Sequence, residues 1–261
     1  MAVIALTSAS GSPGVTTTAL GWALTRGRPT VLVDADPTGG SPVLAGFLQG
    51  AVAPPDALVE LVAAERRGDL RSTIPTVSMV LPGSQVALLP GPRSHTQARG
   101  LGGLWDPLLG ALKALSGTGQ DAIVDLGRLG LVGSATPLLH GADLTLVTCR
   151  SDLVSLAGAR SWVQALRTEF DESGAGSSFA VVLVGAGHPY SAREVEQVLG
   201  AKVLGTVDLD AKSAAAFSVG ASVRRLAASQ LVGSLRRLDQ AAMTTITQNR
   251  QELTEPDREA S

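Results

Sequence analysis

The sequence predicts a doubly wound α/β fold, a mostly parallel seven-stranded sheet with helices on both faces. Three observations predict it. Short apolar runs alternate with longer helical stretches along most of the chain. Each run is almost continuously hydrophobic and does not alternate with polar residues, as in strands covered on both faces. The composition, 44% hydrophobic and 17% charged over 261 residues, is enough to bury a sizeable core. Repeated strand–helix–strand units of this length connect with a right-handed crossover.

The strands are expected at Val3–Thr7, Thr30–Asp34, Val86–Leu89, Ala122–Leu126, Leu144–Thr148, Ala180–Val184 and Val203–Val207. Helical segments fall between them at Thr17–Arg26, Ser41–Gln49, Asp56–Arg66, Leu101–Leu115, Val132–Leu139, Leu153–Phe170 and Ala192–Leu199. Leu70–Val80 gives no clear signal. A last helix, from Ala211 or later through Met243, carries Val219, Val223, Leu226, Leu231, Leu235 and Leu238, and Gly220 is its candidate break. Residues 1–243 thus form one α/β domain. Residues 244–261 are polar, with Glu252, Glu255, Asp257 and Glu259, and are expected to be a disordered tail.

Composition narrows the function classes. A net charge of −2 provides no global basic field for nucleic acid or acidic membranes. Cys149 is the single cysteine, which excludes an internal disulfide or a cysteine-based zinc cluster and fits a reducing cytoplasm. His95, His140 and His188 are scattered and suggest no metal site. The N-terminal apolar run has no charged leader segment, and no run reaches the ~20 apolar residues needed to span a bilayer. A cytoplasmic location is the expectation.

The chemistry lies in four pieces. Ser10-Gly11-Ser12-Pro13-Gly14-Val15-Thr16-Thr17-Thr18 follows the first strand and opens the first helix, the layout of a phosphate-binding loop. Its backbone N–H groups and helix N-terminus favour an anion. Val31-Leu32-Val33-Asp34-Ala35-Asp36-Pro37-Thr38-Gly39-Gly40 ends a strand in two acids and a glycine turn, and Ile123-Val124-Asp125-Leu126-Gly127 ends another in one acid. Ala142–Arg150 is a late core strand. In a nucleoside triphosphatase, Thr16 offers a hydroxyl to Mg²⁺ and Asp125 a carboxylate to its hydration shell. Asp36 polarises a water facing the γ-phosphate, and Gly39 and Gly40 let its loop change shape.

These residues resemble the ParA/MinD family of deviant Walker-A ATPases, which position chromosomes, plasmids, division sites and secretion machines. The resemblance covers residues 2 to about 240, and Asp34-Ala35-Asp36-Pro37-Thr38-Gly39-Gly40 is its most specific part. Gly205-Thr206-Val207-Asp208-Leu209-Asp210 also matches. It implies ATP and Mg²⁺ as ligands, a homodimer, and Gly11, Ser12, Gly14, Val15, Thr16 and Thr17 as the nucleotide-binding residues. Thr16 and Asp125 are then the metal-site residues, and Asp36 and Asp125 the residues in catalytic positions.

The departures are as informative as the matches. The family pattern K-G-G-x-G-K-[ST]-T falls on Ser10-Gly11-Ser12-Pro13-Gly14-Val15-Thr16-Thr17, so Ser10 and Val15 replace both lysines. The first 112 residues contain no lysine that could slide into register. A family asparagine used for adenine recognition corresponds to Gly185. A charge-assisted hydrogen bond contributes ~1.5–3 kcal/mol, so losing two weakens phosphate binding by about 10²–10⁴-fold. Hydrolysis suffers more, because those charges act on the developing transition state. The expectation is a non-hydrolysing positioning or assembly factor with no bound cofactor, or with ATP and Mg²⁺ at reduced affinity. By analogy with TadZ/CpaE-type localisation proteins, its partners are proteins of a pilus, secretion or partition machine. The alternative is an active or weakly active ATPase in which an arginine, Arg128 or Arg150, or a residue of a partner replaces the lysine.

Simpler readings stand beside these. Gly11 and Gly14 also suit a ligand-free turn, and Asp34 and Asp36 could cap the turn before Ser41. Asp125 could bond backbone or Thr16. Trp22, Trp105 and Trp162 fit packing, and Cys149 a buried small hydrophobe. Arg225 and Arg236 share a helix face if that helix is continuous. With Arg224 and Arg237 they occupy the region where ParA-like proteins hold non-specific DNA, although a solvated helix face is the plainer reading. MinD-like membrane targeting needs a basic amphipathic C-terminal helix, which the acidic tail does not supply. A dinucleotide-binding oxidoreductase is disfavoured because the third glycine of that fingerprint is missing.

Overall fold

The computed structural model describes residues 2–53, 56–115 and 119–254. The chain runs β1 (Val3–Ser8), α1 (Val15–Thr25), β2 (Thr30–Asp34), a π-helical turn (Val43–Phe47), α2 (Ala57–Arg67), α3 (Leu70–Val77), β3 (Met79–Val80) and β4 (Val86–Leu89). It continues with α4 (His95–Arg99), α5 (Trp105–Ala114), β5 (Asp121–Arg128), α6 (Thr136–Gly141), β6 (Leu144–Arg150) and α7 (Leu153–Glu172). The last elements are β7 (Phe179–Val184), α8 (Ala192–Leu199), β8 (Val203–Val207), α9 (Ala211–Ser218) and α10 (Gln230–Thr254). One sheet results, in the order β3-β4-β2-β5-β1-β6-β7-β8.

The two faces of the sheet follow from the strand period of two. In β1, Val3 and Ala5 join one core cluster, whereas Ile4 and Leu6 join the other. The first core carries side chains of α2, α3 and α5 to α8, including Leu61, Ile74, Trp105 and Val163. The second carries those of α1, α9, α10 and the π turn, including Trp22, Phe217, Leu235 and Val43. Both faces are therefore covered, which is why the strands read as unbroken apolar runs.

The sheet has eight strands, not the expected seven. The additional one, β3, pairs antiparallel with β4 through Met79–Leu88 and Val80–Ala87, whereas every other neighbouring pair is parallel. It gave no signal because two residues carry no period. The preceding α3 holds Pro75, which weakens any helix prediction. Tertiary packing overrides the proline: Leu70, Ile74 and Val77, at i, i+4 and i+7, are buried against the core.

Other boundaries moved for identifiable reasons. The helix expected at Val132–Leu139 starts only at Thr136, after two positive-φ glycines, Gly130 and Gly133. The segment Ser41–Gln49 forms only the five-residue π turn Val43–Phe47, packed so closely on α9 that Gly46 has no room for a Cβ against Ser218 O. α10 continues eleven residues past Met243, to Thr254. Ile246 is buried in the second core, Asn249 Nδ2 donates to Ser177 O at 3.1 Å, and Arg250 pairs with Asp143 at 3.0 Å. The part of the expected tail from 244 to 254 is thus helical; residues 255–261 lie outside the described residues. Trp22 and Trp105 are core residues, and Trp162 is 39% exposed. Cys149 is buried, and burial pushes its thiol up to about 12.

Candidate functional site

The topology brings the four sequence pieces to one edge. β1 sends the chain towards β2, whereas β5 sends it to β6 on the other side of β1, so the carboxyl ends of β1, β2 and β5 meet at the topological switch point. The register aligns them: Leu6 with Asp125, and Asp34 with Asp125.

The loop after β1 has phosphate-loop geometry. Gly11 and Ser12 are exposed with φ of 74° and 43°, and Gly14 caps α1 with φ of 95°, its carbonyl accepting from Thr18 N at 2.8 Å. Thr16 and Thr17 lie half-buried in the first turn of α1. Val15, at the position of the second family lysine, is 7% exposed and packs into the second core. Ser10, at the position of the first lysine, sits on α7, where Gly158 has no room for a Cβ against the Ser10 hydroxyl. Neither position presents a cation to the loop.

The acids converge. Asp34 and Asp125 are both buried, and Asp36 is half-buried. Asp125 Oδ1 accepts from Gly127 N at 2.9 Å, and Asp34 Oδ1 from Asp36 N at 3.3 Å. Asp36 Oδ1 is held by the backbone N–H and hydroxyl of Thr38 at 2.9 and 2.7 Å. Thr16 faces Asp125 and Ser41 faces Asp34, each favouring the charged carboxylate. Yet Asp34 Oδ2, Asp125 Oδ2 and Ser41 Oγ are buried with no hydrogen bond of good geometry.

Burial is the main force on both acids. It pushes Asp34 up to about 6, against the opposing pull of Ser41. It pushes Asp125 up to about 7, and the neighbouring carboxylates of Asp34 and Asp36 add to the rise. Among the described residues none of the three acids forms an ion pair with Arg128 or Arg150, which end β5 and β6 with exposed side chains. Gly185, at the family's adenine-contacting asparagine, lies buried after β7 with φ of 74°.

Sequence reasoning missed the glycines that let these acids approach. A Cβ on Gly127 would collide with the Asp36 carboxylate, and one on Gly91 would lie 2.7 Å from Asp34 Cγ. Gly127 is legible in the Asp125-Leu126-Gly127 run, whereas Gly91 belongs to a loop after β4 that no motif marks. The expected shared face of Arg225 and Arg236 does not form. Arg225 sits at φ of 59° in the break between α9 and α10, and Arg236 lies inside α10.

Among the described residues no three of His, Cys, Asp and Glu are placed to hold a metal by themselves. Magnesium keeps several waters and takes phosphate oxygens with one or two carboxylates. The Thr16 hydroxyl and the orphaned Asp125 Oδ2 fit such an ion only as part of a Mg-nucleotide.

No family model matches the sequence, and no curated protein matches it. Solved structures do. A ParA family ATPase from Chlorobium tepidum TLS superposes with a TM-score of 0.72 at 19% identity, covering 92% of this chain and 98% of that one. The septum site-determining protein MinD of Pyrococcus horikoshii OT3, complexed with Mg-ADP, gives 0.66 at 18% identity, over 90% and 93%. The MinC:MinD cell division protein complex of Aquifex aeolicus gives 0.61 at 16% identity, over 100% and 99%. The chain therefore has the fold of the ParA/MinD family of ATPases.

Proposed function

We propose that the chain is a ParA/MinD-like pseudo-ATPase, a positioning or assembly factor that works through protein partners without hydrolysing ATP. The observation that carries this reading is the charge balance of the crevice. Three carboxylates, Asp34, Asp36 and Asp125, gather where a triphosphate would bind, and Val15 is turned into the core. Backbone N–H groups and the α1 N-terminus still favour an anion, but by only ~0.3–1 kcal/mol when no side-chain cation helps. Partner-driven work is consistent with the MinD of Aquifex aeolicus, which is found in complex with MinC. A homodimer, and a place in pilus, secretion or partition machinery, belong to the same proposal.

The test is phosphate release from Mg-ATP by the purified chain beside its Asp36→Ala variant. Equal rates at background level are expected. Release above background that Asp36→Ala abolishes would instead establish the second reading, an active or weakly active Mg-ATPase. That reading is favoured by one observation: Arg128 and Arg150 end the two strands flanking β1 and are exposed at the same edge.

A gain of function tests the crevice directly. Val15→Lys restores one charge-assisted contact, so nucleotide affinity should rise by about 10–100-fold. Mg-ATP should then raise the melting temperature of the variant well beyond any shift in the native chain, since saturation at 100 Kd contributes about 2.7 kcal/mol. Equal shifts in both proteins would mean that the loop no longer acts as a phosphate cradle.

A further inference from the structure

A groove of about 690 Å³ lies away from the strand-end crevice. Its walls come from the end of α1, the π turn, the turn before β4, the break between α9 and α10, and α10 itself. Leu24, Phe47, Leu48 and Leu226 line it and are each only half-buried, so the walls expose apolar surface to a visitor. The walls are also fixed. Gly220 has no room for a Cβ against Phe47 O, and Gln49 Nε2 donates to Val219 O at 3.2 Å, which ties the α9–α10 break to the π turn. Arg225 holds φ of 59° on that same break, a conformation that costs an L-residue ~1–2 kcal/mol and persists only where surroundings impose it.

The stretch that carries the α9–α10 break and the start of α10 is basic. From Ala211 to Leu238 the chain carries Lys212, Arg224, Arg225, Arg236 and Arg237 and no acid, although the whole protein is at −2. The wall segments 42–50 and 79–84 contain no charged residue at all. Arg237 is 3.6 Å from Asp208. Arg224 and Arg225 are exposed on the break, and Arg236 lines the groove with its Nη1 3.5 Å from Ala227 O. Among the described residues none of Arg224, Arg225 and Arg236 is paired with an acid.

We propose that this groove is the docking site for an acidic amphipathic helix of a partner protein. The apolar face of that helix would seat on Leu24, Phe47, Leu48 and Leu226, and its carboxylates would face Arg224, Arg225 and Arg236. The recessed apolar walls decide against DNA, whose phosphates would use the arginines and leave the leucines in water. The concave shape decides against a bilayer surface, which rewards apolar side chains that protrude.

The test is fluorescence anisotropy of the full chain with a labelled amphipathic peptide of about 18 residues, some 27 Å as a helix, bearing leucine on one face and glutamate beside it. A lysine-for-glutamate version, a short DNA duplex and phosphatidylglycerol vesicles are run in parallel. Binding of the acidic peptide alone is expected. It should weaken at least about tenfold in Arg224→Glu/Arg225→Glu/Arg236→Glu and in Leu226→Asp, and fall with added salt. Thermal melts of the variants check their fold, and the lysine peptide tests charge selectivity on the native chain without any substitution. Three results would overturn the proposal: no binding of the acidic peptide, binding unaffected by both variants, or duplex or vesicles bound in its place. The ATPase measurement is independent of all of them.

Discussion

Asp125→Asn is expected to gain stability over the native protein as pH rises, with the gap widening by about 4 kcal/mol between pH 4 and pH 8. The sign follows from linkage. Burial raises the Asp125 carboxyl from 3.8 to about 7 in the folded state, so between those values the folded protein holds a proton that the unfolded chain has released. The stability this contributes is full below about 4 and is lost as pH climbs through about 7. Each unit is worth about 1.4 kcal/mol. Asparagine cannot ionise and has no such loss. At 2–4 °C per kcal/mol the difference in melting temperature reaches on the order of 10 °C. Asp34→Asn should behave likewise over a narrower window ending near 6. Because the Asp34 carboxylate adds to the rise at Asp125, the double variant should gain less than the sum. Melting curves of the native and variant proteins at each pH cancel all other titrations. Parallel profiles would mean that the carboxylates are hydrated and the crevice open. A protein that keeps buried acids at such a cost has a destabilised site of the kind associated with function.

Asp121→Ala is expected to cost about 3–5 kcal/mol, by the opposite logic. The Arg26 side chain is fully buried, and its Nη2 lies 2.9 Å from Asp121 and 3.0 Å from Asp239. Arg28 reaches the same two acids at 2.8 and 3.3 Å. Asp121 also accepts from Ala2 N at 2.7 Å, and Asp239 from Trp22 Nε1 at 2.8 Å. The network joins β1, α1, β5 and α10, elements separated by over 200 residues. Burial already lowers the basicity of Arg26, against the pull of Asp239 and Asp121, and two of its nitrogens lack acceptors. Removing Asp121 leaves this buried charge, and Arg28 beside it, to share Asp239 alone. Urea unfolding of Asp121→Ala, Arg26→Met and the double variant measures the coupling. Recovery of part of the loss in the double variant is expected, because the buried charge that lost one of its two acids is then gone. Strict additivity would show that the pair contributes nothing beyond packing.

Most of the sheet was legible in the linear chain. Seven strands lie where their apolar runs put them, because a strand covered on both faces needs an apolar residue at every position. α8 was legible to the residue: Ser191 and Glu194 form a capping box and Gly200 ends it in the left-handed region. The loop and the three acids were legible because each follows an apolar strand at a short distance that can be read along the chain. That Ser10 and Val15 stand where the resemblance places two lysines could be read there too.

Other features depended on contacts between residues far apart in sequence. β3 is two residues held by β4, and α3 forms despite Pro75 because Ile74 and Val77 find a core. α10 outlasts its polar composition because Ile246 joins the second core and Asn249 bonds the turn before β7. Val15 is turned inward, and three carboxylates share one crevice, only because β1, β2 and β5 lie side by side. The groove beside Arg236 is assembled from segments far apart in sequence. Residue type and spacing along the chain thus determined the fold class and which groups reach the crevice. Burial, which sets the charge on those groups, and the basic apolar groove exist only once the segments have packed.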